Sequence, residues 1–450
     1  MMNNINIERI SSGPKHHLFG FHDLIISNKD DTKYLCIEAN YINRPPLPNE
    51  SFGVGYIENQ NFIKLGDTTA FNYPQGSRQQ WVADTNCFTV NNRVGQNWGT
   101  DLYDANCNKL LDRYQATTHV LTKDGRYSFG LDYARLQRLG GYGYTGLVDA
   151  NRDDQAPMDS GISIMDMQSK EIKLLVSVKQ VAEFKIKNTL PTAHHYLTHL
   201  TINPASNRLA FLHRYFLPDG GQITRLMTVG IDGTGLRTLG QGFLSHYDWK
   251  DDMTIYIYGR CGSHIDMMRG NPIFANPIIR SSVRFAKKTI KNIIGKDKSI
   301  VNGSNFLMIT DEDSPKITPF AINTIFDDGH PMTNPYDNDW CICDTYPNPD
   351  GDRCLFLYNF SSDKRFDLGL FRRLFDDPDT TEKDQFLFGI DSEVIKNISE
   401  TQLAFTRSGL HCDLHPRWSS SGKYAVFDSI HEGSRQIYRV DTSSLINLKY

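Results

Sequence analysis

One phrase recurs along this chain: a histidine, a few residues to a polar turn, then an apolar strand. Its clearest form is residues 410–441, LHCDLHPRWSSSGKYAVFDSIHEGSRQIYRVD. That stretch reads as a short strand ending in a polar turn, a second strand over 423–428 and a third over 436–441. Strand, tight turn, strand, loop, strand is a piece of antiparallel sheet. The phrase returns from Thr198, Ser245 and Gly329 and, more loosely, from Thr118 and Phe21. A further unit, QQWVADTNCFTVNNR, carries Gln80 at the same place. The register is therefore His22, Gln80, His119, His199, His246, His330 and His415. Seven units predict an all-β chain folded as a seven-bladed β-propeller, in which the first strand of each blade lines a central channel. One repeat position then becomes one ring around the axis. Six of its seven members are His, although the chain has only 14 His in 450 residues. The alternative is that each His caps its strand and hydrogen-bonds the neighbouring blade.

Seven units over 450 residues give about 64 residues each, more than the about 40–45 of a four-stranded blade, so the expected single domain over 1–450 must carry insertions. One is helical, at about 274–298. Over 276–294, Ile279, Val283, Ala286, Ile290 and Ile293 fall at helical spacing, while Arg280, Arg284, Lys287, Lys288 and Lys291 occupy the other side. A basic amphipathic helix of this kind either packs on the propeller rim or makes peripheral contact with an anionic membrane surface. Two other insertions are the aromatic, glycine-rich and charged segment 137–161 and the acidic loop 375–389. The strand pattern of the third unit continues through YSFGLDYARL. The hairpin of the second closes near Asn91 and Asn92, and residues 5–10 are placed to complete the last blade.

A net charge of −4 argues against general nucleic-acid binding. The first residues hold no basic start followed by an apolar run, which gives a cytoplasmic expectation, or a secreted one if a leader preceded them. Eight scattered Cys, several inside strand patterns, do not form a disulfide framework. Oligomeric state is not encoded in any pattern of the chain.

Two constellations carry chemistry. In the first, Cys412 and His415 stand three apart at the start of the last unit, and His330 and His246 hold the ring position in the two units before it. Three His and one Cys converging on one part of the channel make a tetrahedral set for a divalent metal, zinc first, with manganese or calcium as alternatives. Asp413 and Asp344 are placed to orient the imidazoles. The bland reading makes Cys412 apolar filler and leaves the His residues hydrogen-bonded to water. In the second constellation His22, His119 and His199 face the other side of the channel, with Arg135, Arg214, Tyr142 and Tyr144 nearby. His or Tyr can move protons and Arg can pair with a carboxylate, which suits removal of a proton next to an acid group. Equally, Arg214 could pair with a structural Asp, and Tyr142 could be a packed aromatic in a glycine loop. No P-loop or G-x-S-x-G motif occurs, and the one HxxxH, His195 to His199, lies in a strand pattern without a Glu.

The motifs SHYDW, DGHP, DTYP, CDLHPRWS and FDSIHEGSRQIY, with FGFHD and YARLQRLGGYGY upstream, resemble those of the β-propeller polysaccharide lyases: ulvan lyases, rhamnose-glucuronate lyases and, more distantly, oligogalacturonate lyase. The resemblance covers most of the chain and is most specific in its C-terminal motifs. It implies a seven-bladed propeller that cleaves uronate-containing glycans by β-elimination, with a metal held by His or, in the ulvan-lyase branch, by His and Cys. Carried over residue by residue, it implies His246, His330, Cys412 and His415 as ligands and His199 with Arg214 in the cleft. The chain departs from the pattern at His22, where many relatives have an aromatic residue, and the cytoplasmic expectation departs from the secreted degradative members.

The resulting expectation is a lyase acting on an acidic polysaccharide or oligosaccharide. Arg214, helped by Arg135, neutralises the carboxylate; His199 and Tyr142 are the first choices for proton transfer, with His119 and His22 beside them. The alternatives are a glycoside hydrolase or a glycan-modifying enzyme of polysaccharide biosynthesis on the same scaffold, and a non-catalytic propeller that binds glycan or protein.

Overall fold

The computed structural model describes residues 6–185, 193–217, 221–262, 304–372 and 407–446. The basic helix expected at 276–294 and the acidic loop at 375–389 lie outside these residues. The described strands build five four-stranded sheets and one seven-stranded sheet, and every pairing between strands is antiparallel. Within each sheet the strands follow chain order, apart from the N-terminal strand.

The first sheet runs His16–Leu18, Tyr34–Ala39, Phe52–Glu58, Asn61–Thr68, and the second Gln80–Trp81, Cys87–Val94, Asn97–Asp104, Lys109–Tyr114. The hairpin of the second sheet turns at Gly95, φ +64, rather than at Asn91 and Asn92, which lie inside the strand. A left-handed backbone at the turn suits Gly and not the asparagines' extended positions. The third sheet is Val120–Leu121, Tyr127–Leu131, Gly161–Asp166, Ile172–Ser177. Here the expected run of strand through YARL stops at Leu131. Asp132 accepts the backbone N–H of Arg135 and caps a helix, Tyr133–Gly140, that ends at Gly141 with φ +67. Cap and left-handed glycine outweigh the β-pattern of the preceding residues.

The seven-stranded sheet extends from His195–Ile202 to Ile317–Phe320. Its 15-residue strand, Arg237–Asp251, pairs through Arg237 to Gly242 with Gln222–Gly230 and through Gly242 to Asp251 with Thr254–Cys261. Gly242, at the changeover, has φ +153, and a Cβ there would lie 2.4 Å from the carbonyl oxygen of Arg260. The next sheet is Met332–Thr333, Trp340–Asp344, Asp352–Asn359, Lys364–Arg372. The last combines Arg417–Trp418, Tyr424–Ser429 and Gln436–Asp441 with Ile7–Arg9, which pairs Ile7 with Val440 and Arg9 with Tyr438. The two chain ends are thus joined by backbone hydrogen bonds.

Middle strands are buried on both faces and read as continuous apolar runs: Leu209, Ala210, Phe211 and Leu212 are all fully buried. Each large side chain of this kind contributes about 1.5–3 kcal/mol. Outer strands such as Lys364–Arg372 alternate in exposure.

Candidate functional site

Six of the seven register residues lie on the first strand of their sheets or within a few residues of it; His246 lies on Arg237–Asp251, the strand shared in the middle of the seven-stranded sheet. The backbone is broken where several of them stand. The pairing of His195–Ile202 shifts between Thr198 and Thr201, and that of Arg237–Asp251 between Leu244 and Tyr247, around His199 and His246 respectively. His199 and His415 have φ of +54 and +43. Such irregularities re-aim a side chain out of the sheet.

Five of the six histidines gather around Phe21. Its ring centroid is 4.4 Å from that of His22, 4.9 Å from His199, 6.0 Å from His246, 6.1 Å from His330 and 5.2 Å from His415. His330 packs 4.3 Å from both His246 and His415. His119 stands apart, its Nδ1 2.7 Å from the Tyr133 hydroxyl. Gln80 spends its side chain on the N–H of Leu121 and the carbonyls of Arg78 and His119.

On one side of the channel, ligand atoms of His330, Asp413 and His415 all lie within 4.8 Å of one another, and all three residues are buried. Asp344 organises the pair of imidazoles. Its Oδ1 takes both the backbone N–H and Nδ1 of His330 at 2.8 Å, and its Oδ2 takes the backbone N–H of His415 at 3.2 Å. Nδ1 of His415 donates to the carbonyl of Gly20 at 3.0 Å. Both rings are therefore held through Nδ1, which leaves Nε2 as the ligand atom, the arrangement in which a carboxylate or carbonyl orients a metal-binding imidazole. Asp413 is flanked by Arg353 Nε at 3.0 Å and His411 Nε2 at 2.7 Å. Burial works to raise its pKa, but His411 and Arg353 hold it well below the usual carboxylate range.

Two expectations change here. Cys412 does not join the group: its Sγ sits 3.7 Å from the carbonyl oxygen of Asp428, inside a core cluster with Val426, Ile430 and Ile437, and burial pushes the thiol up to about 12. The strand start turns neighbouring side chains to opposite sides, so Asp413 faces the channel in its place. His22, expected across the channel, stands with this group, 5.5 Å from His330 and 6.4 Å from His415. Neither of its buried ring nitrogens has a side-chain hydrogen-bond partner, and only the backbone of Pro331 comes near. An imidazole so weakly partnered beside three converging ligands fits a bound cation. His246 is adjacent, its Nδ1 3.2 Å from Asp328.

The other side of the site is made by His199, Tyr142, Arg214 and Arg407. His199 accepts or donates at Thr198 Oγ1, 2.9 Å from its Nδ1, and meets Tyr142 edge-on at 5.9 Å. Burial, then the charge of Arg214, keeps its imidazole neutral, well below its ordinary pKa. Arg214 comes from Arg208–Phe216, opposite Tyr196. The guanidinium of Arg407 lies over the Tyr142 ring at 4.0 Å. Among the described tyrosines with a displaced pKa, only Tyr142 moves down, drawn first by Arg407 and then by Arg214 against the effect of burial. Tyr144, its neighbour in the glycine-rich segment, is instead stacked on Tyr133 at 4.3 Å and bonded to Asn91.

Arg135 does not reach this site. It is buried, with Nε on the carbonyl of His195, Nη1 on Asp149 and the carbonyl of Asn151, and Nη2 on the carbonyls of Asp154 and Gln155. It ties the helix Tyr133–Gly140 to the insertion that follows. Arg407, which sequence reasoning missed, has one local signal, the Gly140–Gly141 pair before Tyr142 that leaves room for another chain segment. Asp328 could have been found as the residue two before the ring member His330.

No protein-family model matches the chain, and no curated protein matches it in sequence. In fold it is similar to an oligogalacturonate lyase solved in complex with manganese, with a TM-score of 0.56, 13% identity, and coverage of 98% of this chain and 94% of that one. It is similar also to an oligogalacturonate lyase from Vibrio parahaemolyticus, with a TM-score of 0.55, 10% identity, and coverage of 100% of this chain and 96% of that one. The chain has the all-β propeller fold of these β-propeller polysaccharide lyases along essentially its whole length.

Proposed function

We propose that this chain is a polysaccharide lyase that cleaves a uronate-containing glycan by β-elimination on a seven-bladed propeller. The blade count is supported by the sheets: five of four strands, and one of seven in which Arg237–Asp251 serves two units, amount to seven four-stranded units. The reaction is supported above all by one observation. Tyr142 lies beneath the guanidinium of Arg407, within the influence of the charge on Arg214, and edge-on to the neutral imidazole of His199.

The proton on C5 of a uronate is hard to remove because the carbanion left behind is high in energy. A cation at the carboxylate lowers that energy, and the planar guanidinium of Arg214 can meet it with two parallel hydrogen bonds. Tyr142, as its phenolate, takes the C5 proton. The C4–C5 double bond forms as the C4–O4 bond breaks, and the phenol so formed at Tyr142 returns its proton to the departing oxygen, with the neutral imidazole of His199 beside it. Each such proton transfer contributes about 10²- to 10⁴-fold.

His330, Asp413 and His415, with His22 and His246 beside them, would hold a divalent cation, which would supply positive charge near a substrate carboxylate. The set contains no thiolate, so it does not favour zinc over manganese, and its imidazoles suit either better than calcium.

The test is a panel of uronate polymers and oligomers, oligogalacturonate and glucuronate-rich glycans among them, followed by ultraviolet absorbance and product mass. A lyase yields an unsaturated uronate that absorbs. Cleavage without absorbance makes the protein a hydrolase, and an unaltered polymer that is retained by the protein makes it a binder.

A further inference from the structure

Tyr142 follows the helix Tyr133–Gly140, and its backbone is fixed without reference to the channel. Asn72 Nδ2 donates to the carbonyls of Tyr142, at 2.9 Å, and Gly143, at 3.0 Å. Its side chain is held by a different part of the molecule. Arg407 arrives from a segment far along the chain, donates from Nη2 to the carbonyl of Gly140 at 2.9 Å, and places its guanidinium over the phenol ring. The approach depends on Gly141: a Cβ there would come within 2.7 Å of Arg407 Nε. Gly141 is thus needed twice, for its left-handed backbone at φ +67 and for the space it leaves.

We propose that Arg407 is a positioning residue that sets up Tyr142 as the base of the acid–base site. The proposal rests on the lyase reading for what Tyr142 does, and on geometry alone for how Arg407 holds it. A guanidinium over a ring face is attracted by the ring's electron density, and far more strongly once the phenol has lost its proton. One contact therefore both orients the ring and favours its ionised form. The other charged or titratable groups whose influence reaches Tyr142 are Arg214, Asp413, His199, Tyr196 and Tyr346. Arg214 acts in the same direction as Arg407, and Asp413 and burial act against it. Arg407 has the largest influence of these.

The experiment is an ultraviolet titration of tyrosine ionisation on the folded, full-length protein, run beside pH–rate profiles, for wild type, Tyr142→Phe, Arg407→Met and Arg407→Lys. In the wild type one phenol ionises ahead of the rest; Tyr142→Phe removes that step. Arg407→Met moves it up by about one pH unit or more, and the rising limb of kcat moves with it. Arg407→Lys keeps the charge but not the guanidinium that both covers the ring and bonds the Gly140 carbonyl, so the early step stays near its wild-type position while kcat falls at every pH. Absence of an early-ionising phenol in the wild type overturns the proposal, whether or not any variant folds. So does an early step that stays put in a normally melting Arg407→Met protein. If the titration behaves as described and no glycan is eliminated, the lyase reading fails while the hold of Arg407 on Tyr142 stands.

Discussion

The imidazole of His22 lies 5.5 Å, centroid to centroid, from that of His330, with both of its nitrogens buried and no side chain bonded to either. Few arrangements make so poorly bonded a buried imidazole tolerable, and a shared cation is one of them.

Purified protein is therefore expected to hold one divalent ion per chain by elemental analysis. His330→Ala should abolish binding, and Asp344→Asn, which disturbs only the orientation of the two rings, should weaken it by about 10- to 100-fold. Cys412→Ala should leave the metal content unchanged. Loss of metal in the Cys412 variant with the His330 variant still loaded would show that the ligand set has been drawn wrongly.

Arg214→Lys retains the charge and loses the planar fork. Turnover on a uronate glycan should fall about 100-fold or more while the melting temperature stays close to wild type. His431, whose Nδ1 rests 2.8 Å from Ser429 Oγ outside the channel, is the control. Its Ala variant should keep wild-type rates. Equal rates for all three proteins would remove Arg214 from the mechanism.

Arg135 should behave in the opposite way. Its guanidinium is spent on four backbone carbonyls and Asp149, so Arg135→Ala leaves several buried acceptors without a donor. A loss of about 3 kcal/mol is expected in denaturant unfolding, with kcat of the folded fraction little changed. A stable variant with lost turnover would put Arg135 back into the site.

A fourth expectation concerns pH. Burial lifts the carboxyl of Asp248 from its usual range to about 7, only partly offset by the N–H of Thr333, 2.7 Å from its Oδ2. An acid whose folded pKa exceeds its unfolded value stabilises the fold while protonated. That contribution is complete below about pH 4 and is lost as the pH rises through about 7. Asp248→Asn, which can still accept from Thr333, should raise the melting temperature at pH 8 and change it little at pH 4. Equal shifts at both values would mean that ionisation of Asp248 is not what matters.

Much of the architecture is legible in the residues because the repeat is a local signal: a polar ring residue, a turn and a short apolar run recur in register. Closure by Ile7–Arg9 follows from the same pattern, since a last unit of three strands needs a fourth. The helix Tyr133–Gly140 was hidden because its apolar residues continue a strand, and only the Asp132 cap and the Gly140–Gly141 pair mark it. At the site, the register located the histidines but not which of them share a space. Backbone breaks at His199 and His415 re-aim side chains in ways that spacing does not encode. The preference for Cys412 over Asp413 failed for a related reason: adjacent residues on an extended segment point to opposite sides, and a one-residue choice decides between channel and core. Arg407 was missed because its contact with Tyr142 joins segments far apart in sequence, and the Gly140–Gly141 pair signals room for a neighbour without naming it.

The strand Arg237–Asp251 ends one unit and begins the next without a loop between them. Where other neighbouring units are joined by a connection that can open, these two are joined by continuous hydrogen-bonded backbone. In native-state hydrogen exchange the pair should thus open as one cooperative block, with the amides on both sides of Gly242 sharing a single opening free energy. A circular permutation cut inside that strand would disrupt both units at once.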